Sequence, residues 1–88
     1  MNIAVGQIAM SMAGHDKGEF FVITAVEGKY VYICNGKQRK LEKPKKKKII
    51  HIQLTRTVLD IGSINTNRKL IKALAIFKKE SAQINEEA

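Results

Sequence analysis

Period-two alternation on both sides of a short glycine-flanked turn constrains this chain more than any other feature. Before the turn, Ile8, Met10 and Met12 alternate with Gln7, Ala9 and Ser11. After it, Phe20, Val22, Thr24 and Val26 alternate with Phe21, Ile23 and Ala25. Alternation places successive side chains on opposite faces of a strand, whereas a helix face needs apolar residues every three or four positions. Gly14-His15-Asp16-Lys17-Gly18 cannot prolong either strand. Its glycines accept positive φ at little cost, and an Asp between them can bond the local backbone. The second strand is largely apolar on both faces, which suits a central position in a small curled sheet.

The remaining residues extend this pattern. Met1 to Val5 is a short apolar lead-in, an edge strand or an arm. Glu27-Gly28-Lys29 is the next turn, and Tyr30-Val31-Tyr32-Ile33-Cys34 is a β-branched and aromatic third strand. Asn35-Gly36 is the residue pair of a type I′ hairpin turn, which predicts a fourth, exposed edge strand over Lys37 to Leu41. Pro44 ends that strand, and Lys45 to Lys48 reads as a solvated loop because adjacent ammonium groups repel. Ile49 to Leu54 resumes alternation as a fifth strand. Five short strands joined by tight turns fit a small barrel. Within Thr55 to Ile64, Thr57-Val58-Leu59-Asp60-Ile61 reads as a short strand or one helical turn, interrupted by Gly62-Ser63. Asn65-Thr66-Asn67 then offers an N-cap for a helix from about Asn67 to Lys79, with Leu70, Ile71, Leu74 and Phe77 on one stripe and Lys78 and Lys79 near its negative pole. The division expected is a mainly β barrel over 1–62, a helix packed on it within 63–80, and a frayed tail over 81–88.

A chain of 88 residues holds one domain with a modest core, and 44 % hydrophobic content excludes wholesale disorder. Sixteen Lys and Arg against eight Asp and Glu give a net charge of +8, and the pI is near 9.8. That balance favours a polyanionic partner. The single Cys34 has no disulfide partner and reads as a small buried apolar residue in a reducing, cytoplasmic compartment. No signal peptide and no apolar run long enough to span a bilayer is evident.

The charge is clustered. Lys37, Arg39, Lys40, Lys43, Lys45, Lys46, Lys47 and Lys48 crowd one segment, opposed only by Glu42. Such a strip can follow a phosphate backbone and release its counterions. Lysine dominates, so positioning contacts outweigh sequence readout; the same run also reads as a merely solvated loop. In the first turn, His15 and Lys17 are candidates for contact with RNA, while Gly14, Asp16 and Gly18 read as turn-forming. Tyr30 and Tyr32 share a strand face with Cys34 and read either as a stacking pair or as core residues with hydroxyls at the rim. Nothing resembles a catalytic constellation or a phosphate-binding Gly-Lys-Thr loop, and His15, His51 and Cys34 are too few for a metal. No enzyme activity, cofactor or metal is expected.

Gly6, Ile8, Gly14, Asp16, Gly18 and Val22 stand where the KOW motif of ribosomal proteins and transcription elongation factors has its leading glycine, its alternating strand, its Gly-x-Asp-x-Gly turn and its second strand. The likeness extends through Leu41-Glu42-Lys43-Pro44 and the lysine run, the Ile-rich strand and the Asn-rich helix start over Ser63 to Ala73. The chain resembles the small bacterial KOW-domain RNA-binding proteins, which are similar to a group of archaeal and eukaryotic large-subunit ribosomal proteins. The resemblance implies an SH3-like barrel that binds RNA, with the first turn as a contacting element. The expected partner is ribosomal RNA, with ribosomal proteins as neighbours, no membrane, and a monomeric state. The alternative is a protein-interaction module that binds an acidic partner.

Overall fold

The computed structural model describes residues 2–87, with side chains described through Ser81. Five antiparallel strands form one sheet: β1 (Gln7–Ser11), β2 (Phe20–Glu27), β3 (Tyr30–Cys34), β4 (Lys45–Lys48) and β5 (Ile52–Val58), followed by one helix, α1 (Asn67–Glu87). Their order across the sheet is β4-β3-β2-β1-β5. The sheet curls without closing, because β4 and β5 remain its two edges; the arrangement is consistent with a small SH3-like barrel. β2 is central, as its two apolar faces require.

Those two faces belong to two cores. Phe21 and Ile23 of β2 join Ala9, Val31 and Ile33 on the concave side, where Ile3, Ile49, Ile52 and Leu54 pack against them. The alternate residues Ile8, Val22 and Cys34 lie side by side across β1, β2 and β3. This row on the convex side is covered by Leu70 and Leu74 of α1, with Phe77 edge-on to Phe20 at a centroid distance of 5.2 Å. Burying a leucine side chain contributes about 1.5–3 kcal/mol, so the helix is part of the domain's core. It starts where Thr66 Oγ1 accepts from the Lys69 amide. It continues to Glu87 and takes in 81–87, expected as a frayed tail; the last residue of that tail, Ala88, lies outside the described residues. Lys78 and Lys79 are therefore inside the helix and not at its end.

The hairpin expected at Asn35-Gly36 is corrected. Lys37 to Leu41 holds no strand, and the fourth strand is instead the lysine run itself. A type I′ turn needs positive φ at both central residues, but among the described residues none other than glycine has positive φ, so of the pair Gly36 alone (φ 84°) adopts it. Asn35 instead turns its side chain inward, and its Oδ1 accepts from the amides of Lys37 and Arg39. A Cβ on Gly36 would lie 2.5 Å from the Asn67 carbonyl oxygen and 2.9 Å from Ile71 Cγ1. The Asn-Gly pair is therefore where the helix docks, and the loop returns to the sheet only at Lys45.

The lysine run can be a strand because alternation separates its charges. Lys45 and Lys47 stand opposite Ile33 and Val31 on the concave side, and Lys46 and Lys48 stand opposite Tyr32 and Tyr30 on the convex side. The repulsion that argued for a loop is split between two faces. The fifth strand is also displaced: Ile49–His51 is a 3-10 turn, and β5 runs from Ile52 to Val58. A further 3-10 turn, Ile61–Ser63, is capped by Asp60, whose Oδ1 accepts from the Gly62 amide. Met1 to Val5 forms no strand over the described residues 2–5, and Ile3 packs on the concave core.

Candidate nucleic-acid interface

The first turn, the loop 35–44 and the start of β4 meet at one end of the barrel. Asp16 joins them. The turn is one round of 3-10 helix over Gly14–Asp16, closed by the Lys17 amide donating to the Gly14 carbonyl and the Glu19 amide donating to Asp16. This geometry directs the Asp16 carboxylate inward, where its side chain is only 9 % exposed. Arg39 Nη2 donates to it at 3.3 Å, and Lys45 Nζ lies 3.8 Å away. The sequence reading gave Asp16 a bond to its own backbone; its side chain instead holds two basic residues from distant segments. His15 and Lys17, on either side of it, are exposed.

Lys47 completes the junction from below. It is buried, and its Nζ donates to the Ala13 carbonyl at 2.7 Å, just before the turn. A lysine can bury its alkyl stem against apolar neighbours while its ammonium reaches a polar partner. Lys47 therefore holds the turn and is withdrawn from any surface.

The loop 35–44 is held from the other side by the helix. Asn67 Oδ1 accepts from the Leu41 amide at 2.8 Å, and Asn67 Nδ2 donates to the Glu42 carboxylate. That donor, helped by Glu42's own backbone amide and by Lys40, holds the Glu42 carboxyl below its ordinary range. Lys37, Lys40 and Lys43 are exposed on the loop. Arg39, Lys40, Lys43 and Lys45 line an open cleft with Glu42 and Pro44.

The ten basic candidates thus divide by role. His15 and Lys17 are exposed on the turn, and Lys37, Lys40 and Lys43 on the loop, with Lys37 beside α1. Arg39 and Lys45 are half-buried and shared with Asp16, and Lys47 points inward. Lys46 and Lys48 are exposed on the convex face, away from the others; Lys46 Nζ lies 3.5 Å from Glu27 and 4.5 Å over the Tyr30 ring. The basic residues of the strip thus divide between the turn-and-loop end and the convex face.

Sequence reasoning passed over two features. Arg68 and Lys72, exposed on α1, are four residues apart opposite Leu70 and Leu74, a spacing visible in the sequence. The role of Asp16 carries no sequence signal, since its partners lie far along the chain. Tyr30 and Tyr32 are half-buried on the convex face beyond the reach of the helix, with Tyr32 Oη donating to Glu27 at 3.4 Å. Cys34 is fully buried, and burial, then the Glu42 carboxylate, push its thiol up to about 11. Among the described residues, no three His, Cys, Asp or Glu side chains are grouped to hold a metal ion, and no helix is long and apolar enough to cross a membrane. No protein-family model matches this chain, and no curated protein matches it.

Proposed function

We propose that this chain is a non-catalytic, cytoplasmic RNA-binding protein of KOW type, associated with the ribosome, that holds structured RNA by its phosphates at the barrel end where the first turn meets the loop 35–44. The observation that carries this reading is the Asp16 clamp. By pairing with both Arg39 and Lys45 it ties turn and loop together, and in this reading the exposed His15 and Lys17 of the turn, with Lys37, Lys40 and Lys43 of the loop, make up the phosphate-binding rim. A rim built on tight backbone turns meets phosphates with little ordering of the chain on binding. Lysine ammonium groups act there as point charges, which suits positioning on a folded RNA better than reading its sequence. The Gly14-x-Asp16-x-Gly18 resemblance points the same way.

Salt dependence tests this. Each phosphate contact contributes about 0.7 to the slope of log affinity against log salt for single strands and about 0.9 for a duplex of B-DNA charge density. Replacing Lys17, Lys37, Lys40 and Lys43 with Gln together should flatten the slope by roughly two units, since not every ammonium touches RNA at once. An unchanged slope in the fourfold variant would overturn the reading. Ultraviolet crosslinking in cells, with sequencing of the attached RNA, would identify the target.

A further inference from the structure

We infer that the convex face of the β3–β4 pair, with the 3-10 turn that follows it, is a second RNA contact that takes one unstacked nucleotide between Tyr30 and Ile50. This rests on the RNA-binding reading and adds to it a preference for an unpaired base.

Register places the parts together. Tyr30 pairs with Lys48 and Tyr32 with Lys46, so two tyrosines and two lysines share one face. The helix covers β3 at Cys34 and leaves that face open. Immediately after β4, the 3-10 turn sends Ile49 to the concave core and leaves Ile50 81 % exposed. Nothing in the packing of the domain accounts for that exposure. Ile50, Ile49 and Tyr30 line an open pocket of about 670 Å³, rimmed by Gly28, Lys29 and Lys48. Its size falls within the usual range for small-ligand sites.

The chemistry selects the occupant. Apolar side chains beside an aromatic ring suit a nucleobase, and base stacking on that ring tolerates any base. Lys29 and Lys48 at the rim suit the flanking phosphates, while Lys46 lies over the Tyr30 ring and engages Glu27. A base inside a duplex cannot enter, because its faces are stacked on its neighbours, whereas loops and bulges offer splayed bases. Tyr30 lies at the opposite end of β3 from the Asp16 clamp, about 10 Å along the short β4 strand. One RNA with a looped-out nucleotide beside a helical stem can therefore reach both surfaces.

The protein supplies its own reporter, since it has two tyrosines and no tryptophan. In a Tyr32→Phe background all tyrosine emission comes from Tyr30. Titration with a short oligouridylate should quench it saturably, and an RNA duplex should bind without quenching. Ile50→Ser and Tyr30→Ala should each weaken oligouridylate binding about tenfold, within the usual effect of removing a stacking platform, and leave duplex binding unchanged. Ile50 is on the surface, so its variant carries the test if Tyr30→Ala misfolds. Oligouridylate bound without quenching, bound equally by Ile50→Ser, or not bound while duplex is, would overturn this site and leave the RNA-binding reading standing. Failure to bind either RNA would overturn both, and equal quenching by a polyglutamate peptide would assign the face to an acidic protein.

Discussion

The Asp16 clamp makes a prediction that can be worked from distances. Asp16→Asn keeps the side-chain shape and removes the charge, so any loss reports electrostatics and not a cavity. At an effective dielectric of about 20, Arg39 at 3.3 Å and Lys45 at 3.8 Å attract the carboxylate with about 5 and about 4 kcal/mol before desolvation. Most of that is offset by taking a 9 %-exposed carboxylate out of water. Removing one partner of a fully buried pair costs about 3–5 kcal/mol because a bare charge is left inside. Here the cations left behind are 30 % and 38 % exposed and can rehydrate. The net loss should therefore fall below that range, at about 2 kcal/mol. In a domain of this size that lowers the melting temperature by roughly 8–16 °C. Urea melts of Asp16→Asn, Arg39→Gln and the double variant measure it, and the cycle should give a coupling of about 1 kcal/mol. Arg39 Nε, buried with no hydrogen-bond partner, already limits the strength of this pair. A loss under about 0.5 kcal/mol, the level of an ordinary surface substitution, or additive single effects, would refute the reasoning. Backbone bonds alone would then hold the turn.

Other perturbations follow from the packing. Gly36→Ala should destabilise by about 2 kcal/mol or more, since it combines a positive φ with a Cβ 2.5 Å from the Asn67 carbonyl; thermal melts no lower than wild type would mean the helix does not dock there. Leu74→Ala should remove about 2–4 kcal/mol, and a urea-melt loss under about 1 kcal/mol would show that α1 contributes little to the core. Cys34 imposes a pH dependence of definite sign. Its folded thiol, at about 11, lies above the ordinary 9.0, so the neutral form is favoured by folding and nothing changes below pH 9. Between pH 9 and 11 only the unfolded chain ionises, and stability should fall by about 1.4 kcal/mol per pH unit. Subtracting the same profile for Cys34→Ala isolates this effect, and identical profiles would contradict it.

Much of the sheet was legible because alternation is a local property. Ile8 against Ala9, Val22 against Phe21 and Cys34 against Ile33 divide between two cores as the period of two demands. The helix stripe was legible for the same reason, as was the conformation of Gly14 and Gly18. The candidate site was legible as composition but not as geometry. Ten basic residues could be named, yet Lys45 and Lys47 turned inward while Lys46 and Lys48 turned outward. Identical side chains carry no pattern from which a strand can be recognised.

By itself the sequence determined where the chain could be extended, where it had to turn, which residues needed cover from water, and the sign of the field around it. These follow from backbone sterics, side-chain period and net charge, which act over a few residues or over the whole molecule. Only the tertiary structure decided that Asn35-Gly36 would receive a helix instead of closing a hairpin, and that Asp16 would hold Arg39 and Lys45. It likewise decided that Lys47 would reach Ala13 and Ile50 would stand in solvent. Those outcomes join residues more than twenty positions apart or depend on which neighbour arrives first at a surface. A buried carboxylate takes whichever cations the folded chain brings within a few ångströms, and local sequence does not encode that distance.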